Sequence, residues 1–150
     1  MNELSQDSDF QSACRDIAGE LKRRSLAAVA LIVFMSAALA VSIILPGSRP
    51  FLTALFALAG IAGALAALAL SALLRFDAAL FTLMSTYPEE IAAGRAVDEF
   101  LARTQLKPLP EITQPSADRI AGARRLARRQ IMALSVSAIA TILAMIANFA

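Results

Sequence analysis

Three long stretches of this chain carry no charged residue: 26–45, 51–74 and 131–150. As α-helices rising 1.5 Å per residue they would each extend about 30 to 36 Å, matching a hydrocarbon core about 30 Å thick. A water-soluble fold would have to hide each of them on every face, and a chain of 150 residues has too little interior to do so three times. Composition agrees, with 58% hydrophobic and 17% charged residues and the charges gathered outside these stretches. Only the alanine density of the second stretch would suit a soluble bundle. The expectation is an all-α integral membrane protein with three transmembrane helices (26–45, 51–74 and 131–149) plus short amphipathic cytoplasmic helices.

The first stretch has to be weighed against a signal peptide, because Ala38, Leu39 and Ala40 resemble a cleavage site. The preceding segment is too long and carries Glu3, Asp7, Asp9, Asp16 and Glu20, while the apolar run continues past Ala40 through Val41, Ile43, Ile44 and Leu45. Signal peptides have short basic leaders and apolar regions of about 7 to 15 residues. A retained anchor is expected.

Orientation follows from the basic residues. Of the 14 lysines and arginines, all but Arg49 lie before the first stretch or between the second and third. Moving basic flanks across a membrane is disfavoured, so the N-terminus and the 75–130 segment are expected in the cytoplasm and the C-terminus in the periplasm. An alanine- and arginine-rich composition points to a GC-rich bacterial genome, hence to a multi-pass protein of the bacterial inner (plasma) membrane.

Between the spans the sequence is punctuated. Ser8 and Gln11 have capping-box spacing, and Phe10, Cys14, Ile17 and Leu21 form a narrow apolar stripe, so 1–25 reads as an amphipathic helix running into the first span. Pro46, Gly47, Ser48, Arg49 and Pro50 make a tight external turn that permits only an antiparallel hairpin. Beyond Leu74 the helix can continue through Arg75 and Asp77. Thr86, Pro88 and Glu89 look like a new start by capping box. The helix after them, to about Arg103, would gather Ala93, Val97, Phe100 and Leu101 on one side and turn Arg95, Asp98 and Glu99 away. Pro108, Pro110 and Pro115 break any helix, giving an extended linker over 107–115, after which Ser116 can cap the last helix. No internal repeat and no motif of a known family is legible.

Chemistry is constrained by absence. The sequence has no histidine, which removes imidazole haem ligation, Ser-His and Cys-His catalysis and most zinc arrangements. The neighbours Glu89/Glu90 and Asp98/Glu99 diverge by about 100° on a helix and lack a third ligand, so capping and a solvated face suit them better than a metal site. Gly60 and Gly63 sit inside an apolar stretch and cannot form a phosphate loop. Cys14 is the one cysteine, so no intrachain disulfide exists. No catalytic residue, cofactor or metal is expected. A transport path would need ionisable groups at membrane depth, and the spans offer only hydroxyls and Asn148.

Two patterns remain as candidate sites. Along the second span Thr53, Ala57, Gly60, Ala64, Ala67 and Ser71 recur at steps of four and three, and the third carries Gln130, Ala133, Ser137, Thr141, Ala144 and Asn148. Small faces let helix backbones approach closely in lipid, so Gly60, Ala64, Ala67, Ser71, Ser137, Thr141 and Ala144 are expected to mediate helix–helix packing. The basic residues Lys22, Arg23, Arg24, Arg124, Arg125, Arg128 and Arg129 set topology and are candidates to bind lipid headgroups or an acidic partner. Nucleic acid is not expected, since no recognition motif accompanies the charge. A partner-binding surface is expected on Phe10, Ile17, Leu21, Val97, Phe100 and Leu101, whose short stripes are too small to be stable alone. Together these point to a non-catalytic accessory, assembly or scaffolding subunit. The partners would be membrane lipids and a larger membrane protein. A pore-forming or holin-like homo-oligomer and a membrane-tethered regulator sequestering a cytosolic protein are the alternatives.

Overall fold

A computed structural model describes residues 3–44, 49–106 and 115–149, with side chains described from Asp9 onward. Among the described residues every regular element is helical: α1 (Glu3–Ile44), α2 (Pro50–Met84), α3 (Glu90–Arg103) and α4 (Ser116–Phe149). Three of the helices, over Asp9–Ile44, Pro50–Met84 and Ser116–Phe149, are long and apolar enough to cross a membrane. Pro46, Gly47 and Ser48 of the expected turn, and Lys107, Pro108 and Pro110 of the expected linker, lie outside the described residues.

The helices outrun the apolar stretches, and their ends correct three capping expectations. Ser8 lies within α1 rather than at its start, and the Gln11 amide donates to the Tyr87 carbonyl at 3.2 Å instead of closing a capping box. Thr86 finishes α2 rather than opening α3: its backbone N–H and its hydroxyl both donate to the Leu83 carbonyl, at 3.1 and 2.7 Å. Helix α3 starts at Glu90, after an extended Glu89 that makes no side-chain cap bond. In α4 it is Pro115 whose carbonyl accepts the N–H groups of Asp118 and Arg119, so Ser116 is the first helical residue and not the cap.

The end of α3 is well defined. Gln105 adopts φ 56°, its N–H donates to Ala102 O, and the Leu106 N–H reaches back to Leu101 O. That pair of bonds is a Schellman closure, in which a left-handed residue lets the chain satisfy the last free carbonyls of the helix. Glycine usually occupies that place, because a side chain there costs about 1–2 kcal/mol.

The chain divides into two compact units. The first comprises Met1–Arg23 with Leu74–Arg125, the second Arg24–Leu73 with Leu126–Ala150. In the second unit the buried positions are Ser25, Ala28, Ile32, Met35, Leu39 and Ser42 of α1, Thr53, Ala57, Gly60, Ala67 and Ser71 of α2, and Ala127, Gln130, Ser137, Ala140, Thr141, Ala144, Ala147 and Asn148 of α4. Along α1 they fall at alternating steps of three and four, the 3.5-residue seam of knobs-into-holes packing, and α2 and α4 keep the same rhythm. Leu39, Ala57 and Ala144 meet in one cluster with Phe56 against it. The large side chains point outward: Phe34, Leu58 and Leu65 are 72%, 67% and 62% exposed. In the first unit Cys14, Ala18 and Leu21 of α1, Leu74, Ala78, Phe81 and Met84 of α2, Ala93 and Val97 of α3, and Ala123 of α4 form the interior.

Candidate functional site

In the second unit the two small-residue stripes face each other. Thr53, Ala57, Gly60, Ala67 and Ser71 are buried and Ala64 is half-buried; on α4, Gln130, Ser137, Thr141, Ala144 and Asn148 are buried and Ala133 is half-buried. The Ser137 hydroxyl donates to the Gly60 carbonyl at 2.8 Å, across a face whose small residues let the two backbones approach closely. A Cβ on Gly60 would lie 3.3 Å from Thr141 Oγ1. On Gly63 it would meet the Ser137 backbone itself, at 3.0 Å from N and 3.1 Å from Cα. Gly63, which the stripe reading leaves out, is therefore the closest approach. The signal was its place three residues after Gly60, on the flank of the same face.

One polar layer joins three helices. The Gln130 side-chain amide donates to Ser71 Oγ at 2.7 Å, Ser71 Oγ donates to the Ala67 carbonyl at 2.7 Å, and Ser25 Oγ donates to the Ser71 carbonyl at 3.4 Å. Most other hydroxyls bond back to their own helix, as Ser42 does to Ala38, Thr53 to Arg49 and Thr141 to Ser137. The Ser25–Ser71–Gln130 layer at one end and the Leu39, Ala57 and Ala144 cluster toward the other run α1 and α4 parallel to each other and antiparallel to α2. A small crevice between the helices is lined by Met35, Leu39, Gly60, Ala64, Ser137 and Thr141. Neutral hydroxyls and apolar groups line it, and nothing there can exchange a proton near neutral pH.

The first unit is held by charge. Asp98 is buried and accepts from Arg119 Nη2 at 2.6 Å, with the two side chains 4% and 12% exposed. Sequence reasoning turned Asp98 outward with Arg95 and Glu99; those two are exposed, but Asp98 continues the buried face of Ala93, Gly94 and Val97. Its other oxygen, Oδ2, is buried with no hydrogen-bond partner among the described residues. Glu90 forms the second tie, accepting the Ser116 N–H at 2.9 Å. Bonds from the Ser116 side chain and backbone hold the Glu90 carboxyl below the usual glutamate range. The first residue of α3 thus caps the first turn of α4, where an acidic group also complements the helix dipole. Cys14 is buried and free. Among the described residues no three of His, Cys, Asp and Glu converge as a metal site would require.

The residues expected to bind a partner are divided by the structure. Leu21 and Val97 are 5% and 0% exposed, so both belong to the interior of the first unit and are withdrawn from the surface. Phe10, Ile17 and Leu101 are half-buried, while Phe100 is 43% exposed at the edge of the buried strip of α3. Ile91 and Leu106, which the sequence reading does not single out, are exposed as well. All seven basic candidates are exposed: Lys22, Arg23, Arg124 and Arg125 in the first unit, Arg24, Arg128 and Arg129 in the second.

No family model matches this chain, and no characterised protein or solved structure matches it.

Proposed function

We propose that this chain is a multi-pass inner-membrane protein that serves, without catalysis, as an accessory, assembly or scaffolding subunit of a membrane complex. The membrane reading is supported by the inverted second unit, with alanine, glycine and hydroxyls inside and leucine, isoleucine and phenylalanine outside. Exposing such side chains to water forfeits about 1.5–3 kcal/mol each, whereas lipid solvates them. The charge distribution favours N-terminus in and C-terminus out. A cysteine introduced at Ser48 is then expected to react with an impermeant maleimide in intact cells, while Cys14 stays unlabelled.

The observation that carries the partner reading is the exposure of Ile91, Phe100 and Leu106 on a segment otherwise rich in charge. Ile91 and Phe100 lie on opposite sides of α3 and Leu106 just beyond its end, and exposed apolar side chains of this kind are what a docking surface needs at its centre. The small-residue faces, by contrast, are already occupied within the chain, which weighs against a homo-oligomeric pore built on them. The test is co-purification in mild detergent. A stoichiometric larger protein is expected with the native chain and is expected to be lost with Phe100→Asp, while the variant remains in the alkali-washed membrane fraction. Unchanged co-purification, or a homo-oligomer alone, would remove this reading.

A further inference from the structure

The second unit carries a strongly uneven charge. Its segments, 24–73 and 126–150, contain no aspartate or glutamate and four arginines: Arg24, Arg49, Arg128 and Arg129. The Ser25–Ser71–Gln130 layer places three of the four at one level, because Ser25 and Gln130 both meet Ser71 and each directly succeeds an arginine in sequence. Since Ser25 and Gln130 point inward, their neighbours are rotated by about 100° or more toward the outside. Arg24, Arg128 and Arg129 are indeed exposed. Among the described residues Arg128 and Arg129 make no ion pair.

Beyond Arg128 the same face of α4 becomes apolar. Ile131 and Met132, three and four residues on, are 54% and 67% exposed, and residues at those spacings are neighbours on a helix surface. A pair of guanidinium groups thus stands about one turn, roughly 5 Å, before a bare hydrocarbon surface. An anionic group with acyl chains hanging from it has this shape and polarity. An acidic protein segment would complement the arginines alone, whereas a phospholipid engages the arginines and the adjoining Ile131 and Met132 with one molecule.

We propose that Arg128 and Arg129, with Ile131 and Met132 beneath them and Arg24 at the same level, form a binding site for an anionic phospholipid. The guanidinium groups hold the phosphate through charge-assisted hydrogen bonds, and the acyl chains lie along α4. The site rests on the membrane reading proposed above.

The test uses the full chain in nanodiscs of phosphatidylcholine containing phosphatidylglycerol, with the lipid retained by the protein counted by native mass spectrometry. The native chain is expected to retain phosphatidylglycerol over phosphatidylcholine. Arg128→Gln/Arg129→Gln is expected to lower that preference at least about fivefold, the factor equivalent to about 1 kcal/mol for a single basic group. Arg128→Lys/Arg129→Lys is expected to keep part of the preference, and Arg49→Gln, at the opposite end of the unit, all of it. Helical content by circular dichroism identifies a variant that has misfolded, in which case the lysine pair carries the comparison. Glycerol phosphate, which has the charge without the chains, is expected not to displace the lipid. Equal retention of the two lipids by the native chain, an unaffected glutamine pair, or displacement by glycerol phosphate would each overturn the site. So would loss of a protein partner, rather than lipid, in the glutamine pair. Extraction of the native chain by alkali would instead defeat the membrane reading, and so separates the two failures.

Discussion

In the second unit helices meet through alanine, glycine and neutral hydroxyls, whereas in the first a buried carboxylate and a guanidinium tie α3 to α4. The two solutions distribute stability differently. Interhelical hydrogen bonds between neutral groups in a bilayer are worth about 0.6 kcal/mol on average, so the second unit depends on many small contacts and close backbone approach. A buried ion pair adds little over apolar packing, yet losing one partner costs about 3–5 kcal/mol because the other is left uncompensated. The first unit is therefore vulnerable at one point, and the second is vulnerable wherever its backbones touch.

Asp98→Ala breaks this comparison most directly. It removes the buried carboxylate from a guanidinium that is itself only 12% exposed, and is expected to cost about 3–5 kcal/mol in thermal unfolding of the detergent-solubilised protein. Asp98→Leu combined with Arg119→Met is expected to recover most of that loss, since the pair is replaced by apolar contact. A single-variant loss no greater than the roughly 0–1 kcal/mol typical of an exposed pair would erase the contrast between the units.

Gly63→Ala probes the other unit. Its new Cβ would lie 3.0 Å from Ser137 N, and backbone cannot step aside, so about 1–3 kcal/mol of destabilisation is expected. Gly60→Ala is expected to be milder, because the nearest atom, 3.3 Å away, is the hydroxyl of Thr141. Leu58→Ala, at a position 67% exposed, is expected to lower the melting temperature least. Equal losses at the two glycines would mean that α2 and α4 can separate at little cost.

The smallest effect concerns acid. Glu90 has its carboxyl lowered by Ser116, so its contribution is present in full above the usual glutamate value of about 4.3 and is lost as pH falls through the lower folded value. Hydrogen exchange at the start of α4 is expected to quicken over that acidic range in the native chain and to lose this pH response in Glu90→Gln. Exchange that responds equally in both would show that the cap does not hold the junction.

What the sequence could show depended on whether a feature is local or tertiary. The three apolar stretches and the stripes at steps of three and four are properties of single helices, and Thr53, Ala57, Gly60, Ala67, Ser71, Ser137 and Thr141 occupy buried faces in the structure. Asp98 was misjudged because its partner comes from another helix, beyond the segment holding Pro108 and Pro110. Nothing between Asp98 and Arg119 announces a pairing in the linear chain. Without that partner, a carboxylate one position from Val97 reads as solvated. The capping errors have a different origin. Ser8 and Thr86 have suitable side chains, but the segments preceding them are already helical, and the Thr86 hydroxyl bonds backward to the Leu83 carbonyl instead of forward to an N–H.

The polar layer at Ser71 has one more consequence, for how the helices find their alignment. A seam of small residues repeating every seven positions is nearly blind to a slide of one repeat: alanine would still face alanine, and the backbones would still fit. Gln130 is not blind to it. Moved seven residues along α2, its amide would face Ala64 instead of Ser71 and would have nothing to bond in apolar surroundings. The Ser137 hydroxyl would leave the gap at Gly60 for the bulkier Thr53. The alanine-rich seam thus behaves as a ruler with identical divisions, on which the Gln130 amide marks the zero.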